Sequence, residues 1–279
     1  MTDGDLSDLT VVVPVRNAES FITECLEGIL SDRPAEVIVV DGLSSDRTLE
    51  LAARYPVRVL SDEGRGVAAA RLLGAHAATT DWLALVDVDV MLTSGDLAAV
   101  LDEAQEGGYT ALQAGLESTS GPGYWGRALV QHHRSGLSKH WFGLVATVFE
   151  REAFLSNGLD AAFLSGEDID LRWRLEHAGA RIGVSSRTIV DHRFGDTFDF
   201  AIGQFLADGG GLARMAGKHG WRAAPLLGLP FAAGARGMAL SLLRREPQWI
   251  PYYATFVAFN WLGMTRQLAR QASRRPDPS

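Results

Sequence analysis

Asp87 and Asp89 stand one residue apart, directly after the apolar run Trp82–Val86 (WLALV). A buried strand that ends there delivers both carboxylates to a turn, where they can converge on one divalent cation. All-oxygen ligands suit Mg2+ or Mn2+. Such a cation neutralises diphosphate oxygens and stabilises a nucleoside diphosphate as it leaves. The competing reading is an exposed turn with two solvated aspartates. A second acidic cluster, Glu167-Asp168-Ile169-Asp170, opens a segment with helical periodicity. Acids favour a helix N-terminus, but capping needs fewer of them. Asp168, or else Glu167, therefore reads as a general base for an acceptor hydroxyl. Asp41 follows the run Val37–Val40 and can accept a hydrogen bond from a nucleobase N–H, whereas Asp46 reads as a helix cap. His192 follows the strand-like Thr188–Val190 and either completes the metal shell, touches a diphosphate or is structural. Arg65 and Arg71 lie on a glycine turn and the helix it enters, within reach of phosphates, Arg71 being the better placed.

These groups need elements to bring them together. Leu9–Val15 (LTVVVPV) reads as a strand buried on both faces, and Phe21–Leu30 carries apolar residues at helical spacing. Strands at Val37–Val40, Val57–Leu60 and Trp82–Val86 alternate with a helix starting at Ser45–Thr48 and an alanine-rich helix over Gly64–Ala78. Such alternation predicts right-handed βαβ units, a mostly parallel sheet and ligands at the carboxyl ends of its strands. Asn17, Asp41, Asp87 and Asp89 all follow strands and so gather on one edge. Further on, Gly107–Leu116, Gly143–Phe149 and Arg181–Ser185 read as strands, Ser118–Trp125 as a loop, and Tyr124–Gly136 and Glu167–Ala178 as helices.

Composition bounds the rest. The chain has 279 residues, 47% of them hydrophobic and 22% charged, which supports a folded core. Its one cysteine, Cys25, excludes an intrachain disulfide framework and fits the cytosol as a small core residue. The start, MTDGDLSD, has neither the basic flank nor the apolar run of a secretory signal. Net charge is −8, but residues 211–279 hold ten Lys/Arg against two acids, a local +8 that leaves −16 on residues 1–210. An acidic body with a basic tail argues against a nucleic-acid binder and for a tail that meets an anionic surface. The composition shift at Gly209-Gly210-Gly211 suggests a catalytic domain over 1–210 and a helical tail over 211–279. Within the tail, Pro247–Thr265 is free of charge for 19 residues and rich in aromatics, while Arg236 interrupts Ala223–Leu243. Helices lying in the cytoplasmic membrane interface, with arginines on anionic headgroups, fit this pattern; packing on the core or pairing in a homo-oligomer is the alternative.

The order VPVRNAE (Val13–Glu19), VVDGLSSDRT (Val39–Thr48), GRGVAAAR (Gly64–Arg71), VDVDV (Val86–Val90) and SGEDIDLRWR (Ser165–Arg174) resembles glycosyltransferase family 2 over roughly residues 9–195. The resemblance implies a GT-A fold, an α/β Rossmann-like architecture with a mostly parallel central sheet. It also implies a nucleotide-sugar donor, with a UDP-sugar as the default, a divalent metal (Mn2+ or Mg2+) and inversion at the anomeric carbon. Carried over residue by residue, Asp41 contacts the base, Asp87 the ribose or diphosphate, Asp89 the metal, and Asp168 takes the acceptor proton. Pro14, Asn17, Glu19, Arg65, Arg71 and Val88 join the donor-binding set, and Asp87 and His192 stand beside Asp89 as metal ligands. Two positions depart from the family pattern: Gly42 where many members have a second aspartate, and Leu72 where an asparagine commonly follows the arginine. No Q-x-x-R-W segment of polymerising members is present, so transfer of a single sugar to a sugar, lipid-linked or small-molecule acceptor is expected. Three rivals remain. Gly64-Arg65-Gly66-Val67-Ala68-Ala69 formally fits the dinucleotide fingerprint of NAD(P)-binding oxidoreductases. VDVDV resembles the first motif of haloacid-dehalogenase-type phosphatases, which also need a lysine that only Lys139 or Lys218 could supply. A non-catalytic binding module would be expected to have lost one of the acidic motifs, and both are intact.

Overall fold

Neighbouring residues of the first strand, β1 (Leu9–Val15), serve two different cores. Val11, Val13 and Val15 pack with Cys25, Leu26 and Ile29 of α1 (Ile22–Ser31), and Val12 packs with Ala68, Ala70 and Ala75 of α3 (Val67–Ala77). Side chains alternate across a strand, so helices on both sheet faces require the unbroken apolar run seen in the sequence. The computed structural model describes residues 6–136, 141–163 and 165–273. Residues 1–5, Lys139, Arg274, Arg275 and Asp277, which entered the charge and motif arguments, lie outside the described residues.

Strands β2 (Glu36–Asp41), β3 (Arg58–Ser61) and β4 (Trp82–Val86) run parallel to β1 in the order β3-β2-β1-β4. Beyond β4 the direction reverses. Strand β7 (Ala146–Glu150) is antiparallel to β4, and β6 (Ala111–Ser120) is antiparallel to β7. Strand β8 (Ile182–Phe194) and the two-residue β5 (Val90–Met91), antiparallel to each other, complete an eight-stranded order. Helices α2 (Thr48–Ala52), α4 (Asp96–Gly107), α6 (Arg151–Asn157) and α7 (Glu167–His177) fill the connections. The architecture is the expected α/β one, and two local features differ from the sequence reading. Gly107 closes α4 instead of opening a strand: Gly108, at φ 60°, takes the left-handed C-terminal position and Tyr109 N–H donates to the Ala104 carbonyl at 2.8 Å. Ile182–Ser185 and Thr188–Val190 belong to one strand, β8, within which the Ser185 hydroxyl accepts the Arg187 and Thr188 N–H groups at 3.0 Å each.

A second compact unit comprises Ser118–Ser138, Phe163–Gly166 and Phe194–Ser279. It holds α5 (Tyr124–Ser135), α8 (Phe198–His219), α9 (Leu229–Leu243) and α10 (Ile250–Ser273) around Leu129, Phe205, Tyr252 and Tyr253. The boundary expected at residue 210 falls inside α8, which runs unbroken through Gly209–Gly211. Those glycines are a packing seam. A Cβ on Gly209 would stand 1.9 Å from the Asn260 carbonyl oxygen, and one on Gly263 would stand 2.3 Å from that of Leu206. Backbone meets backbone there, and only glycine allows it. The charge-free Pro247–Thr265 lies mostly in α10, with Tyr252, Tyr253, Asn260, Gly263 and Met264 buried. Among the described residues, the one helical segment long and apolar enough to cross a membrane is Ala224–Leu243.

The seam predicts opposite outcomes for two glycines of the same helix. Gly203 has nothing within 4 Å of an added Cβ, so Gly203→Ala should be neutral or stabilising by up to about 1 kcal/mol. Gly209→Ala should cost about 1–3 kcal/mol or more through overpacking. Thermal melts of both variants check this, and equal melting temperatures would remove the seam.

Candidate functional site

Four loops at the carboxyl ends of β1, β2, β3 and β4 carry the polar residues singled out in the sequence. The first two are stitched together. Asn17 Oδ1 accepts the Ser45 N–H at 2.8 Å, Glu19 Oε2 accepts that of Arg47 at 3.2 Å, and Thr48 Oγ1 accepts that of Ala18 at 2.7 Å. Asp46 closes the seam by accepting the Glu19 and Thr48 N–H groups. Asp41 ends β2, is 4% exposed, and accepts the Leu43 and Ser44 N–H groups at 3.1 and 3.2 Å. Its carboxylate thereby fixes its own loop. Pro14 lies in β1, opposite Val40. Asn17, Leu43 and Glu63 all hold left-handed backbone, at φ 50°, 63° and 57°, so the loops after β1, β2 and β3 each store local strain.

The third loop leads into α3. Asp62, 1% exposed, accepts the Gly64 and Gly66 N–H groups at 2.9 and 2.8 Å. These are the backbone donors that a dinucleotide pyrophosphate would need, and a carboxylate already holds them. The dinucleotide reading of this glycine turn therefore fails. Arg65 is exposed and its Nε donates to the Asp62 carbonyl at 2.8 Å.

Arg71 points from α3 into the centre of the site and is 4% exposed. Its two terminal nitrogens donate to different carboxylates, Asp87 Oδ1 at 2.6 Å and Glu167 Oε1 at 2.7 Å. Glu167, 7% exposed, starts α7, whereas Asp87 ends β4. One buried guanidinium thus ties the two acidic motifs together, the second of them 96 residues from Arg71 in sequence. Burial works against its charge, but Asp87, Glu167 and Asp168 outweigh that and hold the Arg71 pKa above its usual value. Asp87 moves the other way from an ordinary paired carboxylate. Burial raises its pKa, and the neighbouring Asp89 charge adds to the rise, against the pull of Arg71. Arg71 Nε and Glu167 Oε2 are buried without a hydrogen-bond partner.

After Val86 the chain turns tightly: the Val90 N–H donates to the Asp87 carbonyl at 3.0 Å, and the Asp87 N–H donates to that of Val145 at 2.8 Å. Val88, half-buried, sits in this turn. Strand β5 then pairs with β8, placing Val90 opposite His192, and Asp89 Oδ1 lies 3.4 Å from His192 Nε2. Two ligands at right angles on one small cation stand about 3 Å apart, so this pair fits a shared ion. Asp87 is held by Arg71 on the other side of the turn. Among the described residues no group of three His, Cys, Asp or Glu side chains is arranged to hold a metal. A cation here would take Asp89 and His192 from the protein and its remaining oxygens from the donor and water, the usual mode for Mg2+ beside phosphates. Cys25, fully buried, takes no part; burial first, then the Asp89 and Asp87 charges, push its thiol pKa up.

Asp168 is half-buried at the start of α7, with Oδ2 3.3 Å from where a Gly143 Cβ would stand. The sequence reading missed what fixes that loop. Gln113, 2% exposed in β6, accepts the Gly143 N–H at 2.6 Å and donates to the Trp141 carbonyl at 3.4 Å. Its only sequence signal was one amide inside an otherwise apolar strand. Asp62 anchors its own loop through the two glycines that follow it, Gly64 and Gly66. Asp170 is structural: fully buried, it pairs with Arg174 at 3.0 Å.

Comparison with known proteins agrees with this fold. The model of glycosyl transferase family 2 matches residues 10–155. The pre-mycofactocin glycosyltransferase of Mycobacterium tuberculosis is 29% identical over 237 residues, 79% of this chain and 50% of that protein. The chain therefore spans about half the length of that relative. The mannosyltransferase PcManGT of Pyrobaculum calidifontis, solved with GDP-Man and Mn2+, superposes with a TM-score of 0.67 at 19% identity, covering 92% of this chain and 87% of that one. TarS 1-349 of S. aureus, solved with UDP-GlcNAc, gives 0.58 at 17% identity, covering 97% and 94%. At these identities the two structures establish the fold.

Removing the Arg71 charge leaves the buried Glu167 and the partly buried Asp87 carboxylates without their shared counter-charge. Arg71→Met should destabilise the protein by about 3–5 kcal/mol at neutral pH. The deficit should shrink toward acid. Without Arg71 the Asp87 pKa, already raised, rises further above its unfolded value, so the penalty is full above that folded value and fades as pH falls through it. Urea unfolding at pH 7 and pH 5 checks this; a loss below about 1 kcal/mol, equal at both pH values, would contradict the bridge.

Proposed function

The chain belongs to glycosyl transferase family 2, and on that premise we propose that it moves one sugar from a nucleotide-sugar, a UDP-sugar by default, to an acceptor hydroxyl with inversion. The observation that carries this reading is the Arg71 bridge, which joins the acidic turn after β4 to the acidic start of α7. The reaction needs a group that manages the diphosphate and a base for the acceptor, and the bridge puts both motifs in one place. Asp89 and His192 would hold the divalent cation, which supplies positive charge to the leaving diphosphate. Asp41 ends the strand beside the donor loop and serves the base, and Asp87 faces the ribose or diphosphate. Support for these donor roles comes from the strand-end placement of both carboxylates and from the nucleotide-sugars bound in PcManGT and TarS.

Between the two acids of α7 the geometry favours one base. Glu167 is buried and spends Oε1 on Arg71, which makes it a positioning residue. Asp168 is more open and lies beside Gly143. The acceptor oxygen attacks the anomeric carbon from the face opposite the diphosphate. As the new C–O bond forms, the hydroxyl proton passes to the Asp168 carboxylate. The bond to the diphosphate breaks with its electron pair, and the configuration inverts. The acceptor is a sugar, a lipid-linked sugar or another small hydroxyl compound, and the single buried cysteine of this chain accords with work on the cytoplasmic side.

Asp168→Asn should slow transfer by roughly 10²–10⁴-fold while leaving the donor-induced thermal shift unchanged; a loss confined to donor affinity would return Asp168 to the structural residues. The donor class is tested by melting the protein with UDP-, GDP- and dTDP-sugars, with and without Mn2+. One class should raise the melting temperature, and chiefly when Mn2+ is present. No shift with any donor would sink the reading.

A further inference from the structure

Helix α9 packs one side against α10 and leaves a second apolar side exposed. Pro230, Gly234, Gly237 and Ser241 form its buried side, where Gly234 meets Val257 and Gly237 meets Tyr253, both of α10. Outside that contact lie Phe231, Ala235, Ala239, Leu242 and Leu243, all exposed, with Phe231 at the margin, its ring 4.9 Å from that of Trp261 in α10. Leu243 is 80% exposed, Leu242 62% and Phe231 51%, and Trp221, on the turn before the helix, is 83% exposed. Only 22% of the apolar window Ala224–Leu243 is buried. A helix apolar all round is ordinarily covered on all sides, and an apolar patch this continuous marks an interaction surface.

We propose that the outer face of α9 lies in the surface of an anionic lipid bilayer. Charge decides the occupant. Arg222 precedes the apolar segment, Arg244 and Arg245 follow it, and all three are exposed. The chain from residue 211 onward carries +8. A second copy would bring the same basic rim against itself, whereas anionic headgroups neutralise it. Arg236, the one charge on the helix, donates to the Ser135 carbonyl at 2.7 Å and so turns from the apolar face toward its own unit. Packing decides the orientation. One side of the helix is held against α10 through Pro230, Gly234, Gly237 and Ser241, so bilayer lipid can meet only its outer face. The helix therefore lies in the plane, with Trp221 and the arginines at headgroup level. This assigns the lipid contact to α9. The charge-free Pro247–Thr265 has its tyrosines buried within the protein and serves as its backing.

Vesicle flotation tests this without any donor, so the outcome is independent of the catalytic reading. The full chain should float with phosphatidylcholine vesicles containing about a third phosphatidylglycerol at low salt, and at least tenfold less with phosphatidylcholine alone. Leu242→Glu/Leu243→Glu should lose binding by about tenfold or more with an unchanged melting temperature. Arg244→Gln/Arg245→Gln, which keeps the apolar face, should bind anionic vesicles several-fold more weakly. Absence of wild-type binding, or equal binding by the Leu242→Glu/Leu243→Glu variant, overturns the proposal. So does a dimer that this variant dissociates in the absence of vesicle binding, which would give the face to a second copy. Retention on vesicles through alkaline carbonate would overturn the in-plane orientation.

Discussion

A single buried arginine between two carboxylates sets the geometry of the catalytic unit. Desolvating Arg71, Asp87 and Glu167 is costly, and it is offset only while the three stay in register. Each carboxylate belongs to a different part of the chain, one ending a parallel strand and the other starting a helix 80 residues later. The ion-pair triad therefore couples the turn of Asp87, Val88 and Asp89 to the start of α7. Moving either would strand a charge out of water.

Around that centre, the loops are built so that few polar groups are left to choose their own direction. Asp41 and Asp62 each close a loop with their own carboxylate, and Asn17, Glu19, Asp46 and Thr48 lock two loops to each other. Preorganisation of this kind lowers the entropy lost when a flexible diphosphate binds. It also explains why left-handed backbone at Asn17, Leu43 and Glu63 is tolerated: neighbouring hydrogen bonds over-determine the conformation. Exposed Leu43 lies beside Gly64 at this edge.

Much of this was legible from residue order alone. The apolar runs at β1, β2 and β4 can only be strands covered on both faces, and that fixed which edge the acids share. Arg71 was expected at the phosphates, but its role as a bridge depends on how α3 packs against α7, a non-local fact with no periodic signature. Gln113 was missed for the same reason: a buried polar group declares itself through its partners, and those are distant in sequence. The triple glycine of α8 suggested a domain boundary because composition cannot separate a glycine that ends a unit from one that admits a neighbouring backbone. Charge gave the tail its basic character, whereas burial moved the exposed apolar surface from Pro247–Thr265 to α9.

The account rests on one displacement at the anomeric carbon, with Asp168 receiving the proton and the diphosphate leaving from the opposite face. Proton NMR of the first product formed from an α-linked nucleotide-sugar, the donor being whichever raises the melting temperature and water serving as acceptor if none better is found, reads that step directly. The anomeric signal should appear first as the β form and decay to the mutarotated mixture. Initial release of the α form would mean retention, and would contradict a single displacement with Asp168 as its base.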